Sequence, residues 1–245
     1  MPSLVLLALI LLVALVYASV GHGGASGYLA VMALVGGYSS AVMGTSALLL
    51  NLLVAGTAWF MFWRAGHGSW SLLWPFAVCS IPAALFGGWL SIPAHVYRWL
   101  LAGCLLVAAI RLCLPAAAQD DHTTAPPLAV AMPVGAAIGL VSGVVGVGGG
   151  IFLSPLMVLW RWATVKRTAA ISAAFIVVNS LAGLAGRLAA GRLVIGSMMP
   201  LVVAAFVGGL IGARLGAHHF SGLWLRRMLA AVLVVASIKL LVAHA

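Results

Sequence analysis

Acid is what this sequence lacks most. Its 245 residues include 12 Lys+Arg but only two Asp+Glu, for a formal net charge of +10, and the two acids stand together at Asp120 and Asp121. Proton pumps and cation carriers place carboxylates inside the membrane as relays or ligands. With no carboxylate in any apolar stretch, a buried site must be built from backbone amides, hydroxyls, side-chain amides and basic groups, a set that suits an anion. Charge of both signs is scarce: 6% of residues are charged, 65% are hydrophobic and the mean hydropathy is +1.25. Those values exclude a soluble globular domain and indicate an integral membrane protein. Cysteine is sparse as well: Cys79, Cys104 and Cys113 have no metal-ligand spacing and read as packing thiols. No metal and no cofactor is expected. An enzyme would need a nucleophile with its base, or a His/Cys cluster, and neither pattern occurs. Apart from "RWATVKR" and Arg226-Arg227 the basic residues are scattered near the ends of apolar stretches. They serve topology and lipid headgroups rather than nucleic acid.

What the chain has in abundance is apolar length. Apolar stretches run from about residue 3 to 20, 39 to 63, 71 to 92, 96 to 114, 128 to 145, 168 to 186, 197 to 216 and 225 to 243, most near the roughly 20 residues that span hydrocarbon. Two further pieces, Ala25 to Val35 and Ile151 to Trp160, are too short at about 1.5 Å per residue to cross about 30 Å. The expected fold is an all-α polytopic membrane protein with about eight spanning helices and two half-helices or re-entrant segments. The segment Val20-Gly21-His22-Gly23-Gly24 aligns with Val145-Gly146-Val147-Gly148-Gly149 at an offset of 125, which also pairs Met32 with Met157, Gly66 with Gly191 and Pro75 with Pro200. Asn51 and Asn179 pair at an offset of 128. An internal duplication is implied, with a first transmembrane repeat at 1–114, a polar, Pro-rich linker at 115–127 and a second repeat at 128–245. The small residues of the first stretch suggest a secretory signal, but it lacks a basic n-region and occupies the place of the helix before Gly146, so it is expected to be retained. Whether the short segments cross or re-enter stays open. In both cases most basic loops fall on one face, which the positive-inside rule makes cytoplasmic, with the N- and C-termini outside.

A glycine run lets a helix unwind, adopt positive φ or admit a neighbouring backbone. For Gly135, Gly139 and Gly143, which recur every four residues, close helix packing is sufficient explanation. The run from Gly146 to Gly150 recurs in both halves directly before a short apolar segment, and packing explains neither the recurrence nor the short segment. Interrupted helices at matching positions of two repeats point to a transporter's binding site. Gly148, Gly149 and Gly150 would stand at the N-terminus of the segment from Ile151, where unpaired N–H groups and the helix dipole favour an oxyanion. "GVGGGI" is not a nucleotide-binding fingerprint, and no Gly-Lys-Ser/Thr follows it. Candidate substrate-binding residues are therefore Gly21, His22, Gly23, Gly24, Asn51, Gly146, Gly148, Gly149, Gly150 and Asn179. The two asparagines serve either substrate contact or interhelical hydrogen bonding. His22 stands where the second half has Val147 and acts as a proton-sensitive group or a neutral hydrogen bonder. Arg187 and Arg192 read as snorkelling anchors rather than ligands, although an Arg at a pathway mouth would attract anions, and Trp59, Trp63, Trp70, Trp74, Trp160 and Trp162 read as an interfacial belt.

The pair "SVGHGGASGYLA" and "GVVGVGGGIFLSP", each followed by a helix containing Asn, resembles the TauE/SafE family, also called the sulfite exporter or TSUP family, over nearly the whole chain. The resemblance implies a bacterial inner-membrane permease, working as an exporter, for sulfite, organosulfonates or related small anions. The second-half copy, with Pro155, is the more family-like; the first has His22 and Ala25 at the matching Val and Gly, and Ala30 at the Pro155 position. The expected partners are a small anionic substrate and the lipid bilayer, with a homo-oligomer permitted, and alternating exposure would come from movement of one half against the other. A non-transporting membrane assembly subunit, or a permease for a different small solute, is the alternative.

Overall fold

The computed structural model describes residues 3–19, 22–35, 37–113, 123–193, 199–218, 233–235, 237, 238 and 241. Every regular element among these residues is helical: α1 (Leu4–Ser19), α2 (Ala25–Val35), α3 (Ser40–Phe62), α4 (Trp70–Trp89), α5 (Ala94–Cys113), α6 (Leu128–Val145), α7 (Gly150–Leu159), α8 (Val165–Ala189) and α9 (Met199–His218). A π-turn, Trp63–His67, extends α3. Most of the stretch expected at 225 to 243 lies outside the described residues, as do Asp120 and Asp121. Among the described residues four segments are long and apolar enough to span a bilayer: Ser40–His67, Trp70–Trp89, Leu128–Val145 and Lys166–Ala189. α2 and α7 have 11 and 10 residues, about half a hydrocarbon thickness at roughly 1.5 Å per residue.

These helices are apolar on every side, so residue size rather than polarity decides which face turns inward. α4 exposes Trp74, Val78, Ile81 and Leu85, while Ser80, Ala84, Gly87 and Gly88 are buried. Against that small-residue face lie Gly135, Gly139 and Gly143 of α6, where an added Cβ would strike the carbonyls of Phe76, Ser80 and Ala84 in turn. The residue numbers rise together, so α4 and α6 run parallel. On the far side of the molecule Gly208 and Gly212 of α9 pack in the same manner on the carbonyls of Leu11 and Leu15 of α1. Gly87 meets Leu140, and Gly212 meets Leu15: the same contact recurs 125 residues away, with the partners exchanged.

α3 and α8 run antiparallel through the centre. Gly44 lies against Arg187, Leu48 against Gly183, and Ala55 clusters with Ile176 and Val177. At the other end His67 stands within electrostatic reach of Lys166 and Arg167. α6 and α7 form a hairpin whose outer ends are tied together, the Thr124 N–H donating to the Arg161 carbonyl at 3.0 Å. Trp162 departs from the belt expectation: it is buried, its ring centroid 5.7 Å from that of Phe76, because the return of α7 carries it under α4. Trp59, Trp63 and Trp70 gather where α3 meets α4, with centroids 4.8 to 6.4 Å apart.

Candidate functional site

The last four carbonyls of a helix have no partner within it, which is costly away from water. At the end of α6 all four find one. Ser142 accepts from the Gly146 N–H at 2.8 Å, Gly143 and Val144 accept from Arg187 Nη2 at 3.3 and 3.0 Å, and Val145 accepts from the Tyr97 hydroxyl at 3.1 Å. The chain then turns through Gly146, Gly148 and Gly149 at φ of 91°, 79° and 80°, left-handed backbone that side chains resist. Gly149 is the N-cap of α7, with no side-chain cap, and Gly150 is its first residue.

Arg187 is thus not a snorkelling anchor. It is 3% exposed and holds the end of α6. Arg192 does the same for α4, donating to Gly88 and Trp89 carbonyls at 2.8 and 2.6 Å. A cation at a helix C-terminus also complements the dipole.

The N-terminus of α2 is held from a different helix. Asn51, buried in the middle of α3, accepts from the Ala25 N–H through Oδ1 at 3.0 Å and donates through Nδ2 to the Val147 carbonyl at 3.0 Å. Its carboxamide is flanked by Gly23 and Gly148, one from each break: a Cβ on the first would strike Oδ1 and a Cβ on the second Nδ2. Close approach therefore requires glycine at both positions, and at Gly148 a φ of 79° requires it as well. Beside this pair Tyr17 and Ser26 share a hydroxyl hydrogen bond of 2.6 Å, and His22 Nε2 lies 2.8 Å from Ser154 Oγ of α7. Ser154 is also 2.8 Å from the Gly150 carbonyl and from Ser172 Oγ of α8.

These groups enclose a small pocket lined by Tyr17, His22, Gly23, Gly24, Ala25, Ser26, Asn51, Val147, Ile151 and Ile176. The space open to a water centre is about 10 Å³, near the volume one water needs. Its polar lining is rich in donors: the first N–H groups of α2, two hydroxyls, an imidazole and an amide.

Of the residues singled out from sequence, His22, Gly23, Gly24 and Asn51 line this pocket and Gly148 abuts Asn51. Gly21 lies outside the described residues. Gly146 packs on Gly44, Gly149 on Ile138 and Phe175, and Gly150 on Ile176, so these three shape the turn without lining the pocket. Asn179 stands apart: its Nδ2 donates to the Phe175 carbonyl of its own helix at 2.8 Å, and its buried Oδ1 has no hydrogen-bond partner among the described residues. Sequence reasoning missed Tyr17, Ser26 and Ser154. The available signal was a polar side chain within one turn of each glycine break.

A protein-family model described as sulfite exporter TauE/SafE matches residues 6–240. The probable membrane transporter protein y4hK of Sinorhizobium fredii is 39% identical over 233 residues, covering 94% of each chain. No solved structure matches the chain.

Proposed function

Because the chain belongs to the sulfite exporter TauE/SafE family, we propose that it carries small oxyanions, sulfite or organosulfonates among them, outward across the bacterial inner membrane. It is a multi-pass membrane transporter and not an enzyme. The observation that carries the anion reading is Asn51. By binding both the α2 N-terminus and the Val147 carbonyl, it draws the two glycine breaks onto one pocket at the positive end of a helix dipole. No acidic residue lines that pocket, so a bound oxyanion would meet donors and little repulsion. With room for about one water, the pocket is too small for a four-atom oxyanion. His22, Tyr17 and Ser26 would therefore have to shift to admit substrate.

The architecture proposed with it has repeats at 1–114 and 128–245 joined by 115–127. The recurrence of the Gly87–Leu140 contact as Gly212–Leu15, and the antiparallel course of α3 and α8, support two halves of opposite orientation. The Thr124–Arg161 tie supports a re-entrant α6–α7 hairpin. The end of the molecule that gathers Arg64, His67, Arg161, Lys166 and Arg167 is assigned to the cytoplasm by the positive-inside rule, which leaves the termini outside. The test is efflux from proteoliposomes loaded with sulfite, sulfate, sulfoacetate or a neutral sugar. Saturable oxyanion flux, absent for the sugar and lost in Gly149→Val, is expected. Flux of the sugar alone, or none from correctly inserted protein, refutes the reading.

A further inference from the structure

One buried cation is used only in part by helix capping: the Nη2 of Arg187 is engaged at the end of α6, and its Nε is not. Arg187 is 3% exposed, and a guanidinium remains protonated in proteins. A buried ion is unfavourable unless an opposite charge answers it, yet the only carboxylate side chains in the chain are Asp120 and Asp121 of the linker. Its Nη2 reaches two carbonyls, while its Nε has no hydrogen-bond partner among the described residues. One residue further on, the neutral Tyr97 hydroxyl performs the same capping for Val145.

The position of the charge relates it to the transport path. Gly44 lies between the guanidinium and the second break: a Cβ at Gly44 would strike Arg187 Nη2, and one at Gly146 would come within 2.7 Å of Gly44 Cα. Gly44 is seven residues before Asn51 on α3, about 10 Å at roughly 1.5 Å per residue. Two more buried polar atoms without partners among the described residues belong to the same neighbourhood in sequence, Thr45 Oγ1 beside Gly44 and Ser142 Oγ beside Gly143.

We propose that Arg187, with Thr45 and Ser142, forms a second binding station for a small oxyanion, beyond the Gly44–Gly146 contact from the Asn51 pocket. The proposal builds on the anion-transport reading and adds to it a charged stage, where substrate rests before or after the neutral pocket.

The experiment measures KM for sulfite flux in phosphatidylcholine liposomes, which contain no anionic headgroup, for wild type, Arg187→Lys and Arg187→Gln. Arg187→Lys keeps the charge and a donor, while Arg187→Gln, whose amide ends two bonds short of Nη2, loses the charge and the reach to the α6 carbonyls; Tyr97→Phe, which removes only the neutral cap on Val145, is measured beside them as the capping control and should leave KM within about threefold of wild type. Arg187→Gln is expected to raise KM at least about tenfold, equivalent to roughly 1.4 kcal/mol, while Arg187→Lys stays within about threefold of wild type. Wild-type KM in Arg187→Gln overturns the proposal, as does an equal rise in both arginine variants, the signature of lost capping alone. Should the arginine variants fail to insert, Thr45→Val with Ser142→Ala leaves the cap intact: a severalfold rise in KM supports the station, and an unchanged KM overturns it. If wild type moves no oxyanion, the transport reading fails by itself, and sulfite Kd values for the same variants then decide the station by the same ratios.

Discussion

In the proposed two-repeat architecture Asn51 and Asn179 hold corresponding places, and truncating each to alanine removes the same atoms from equally buried sites. The structure nonetheless separates them. Asn51→Ala leaves the Ala25 N–H and the Val147 carbonyl without partners. An orphaned buried group costs about 1–3 kcal/mol, while hydrogen bonds within membranes average nearer 0.6 kcal/mol. Two groups at an intermediate value of about 1.5 kcal/mol give roughly 3 kcal/mol. For a chain of this size that lowers the thermal midpoint by about 6–12 °C. Asn179→Ala removes a bond to a carbonyl of its own helix, together with an Oδ1 that has no partner to lose. Its midpoint is expected within about 3 °C of wild type. Because membrane proteins in detergent unfold irreversibly, the comparison is made at one scan rate with both variants beside wild type. Equal shifts, or a larger shift for Asn179→Ala, would refute the assignment of Asn51 as the tie between the breaks.

Gly148→Ala places a Cβ on Asn51 Nδ2 at a φ of 79°, and is expected to lower proteoliposome flux at least about tenfold, equivalent to roughly 1.4 kcal/mol, at normal membrane abundance. Gly139→Leu drives a side chain into the Ser80 carbonyl, whereas a Cβ at Gly103 meets nothing within 4 Å; size-exclusion profiles should show loss of monodisperse protein for the first and none for Gly103→Leu. Ser154→Ala removes the hydroxyl shared by His22, Gly150 and Ser172, and should lower the thermal midpoint by about 2–10 °C through the lost buried hydrogen bonds. Expressed separately, 1–114 and 128–245 should each be degraded, because α4 and α1 find their glycine partners in the other half; together they should form a stable complex in pull-down.

Much of the architecture was legible because hydropathy and length are local to the chain. The half-helix expected from Ala25 to Val35 and the span expected from 128 to 145 match α2 and α6 at both ends, each bounded by glycine or proline. The stripe Gly135, Gly139 and Gly143 announced a close helix contact, but its partner, α4, could not be read because it lies in the other half. Arg187 was misread for the same reason. A basic residue near the end of an apolar helix looks like an anchor until the frayed end of α6 is seen beside it. Asn51 and Asn179 are alike in sequence, and only the placement of Ala25 relative to α3 distinguishes them.

The same exchange of partners alters the motion expected from sequence, in which one half moves against the other. α4 belongs to the first half yet interlocks backbone to backbone with α6 and α8, and α9 of the second half does so with α1. Glycine-to-carbonyl contacts leave no slack for sliding, since cores and interfaces are close-packed. Rigid movement of residues 1–114 against 128–245 would have to break both interfaces at once. A less costly division leaves them whole: α1, α2, α3 and α9 form one body, and α4, α6, α7 and α8 the other. The bodies then meet along α3 and α8, where Val144, Val145, Val147 and Ile151 also pack into the core of α1 and α2, with α5 touching both; among the described residues the Asn51–Val147 and His22–Ser154 hydrogen bonds are polar links between them. Each is worth about 1 kcal/mol net, small enough to be exchanged for contacts with an arriving anion. Substrate that takes the place of Val147 on Asn51 would thereby loosen the seam that encloses it.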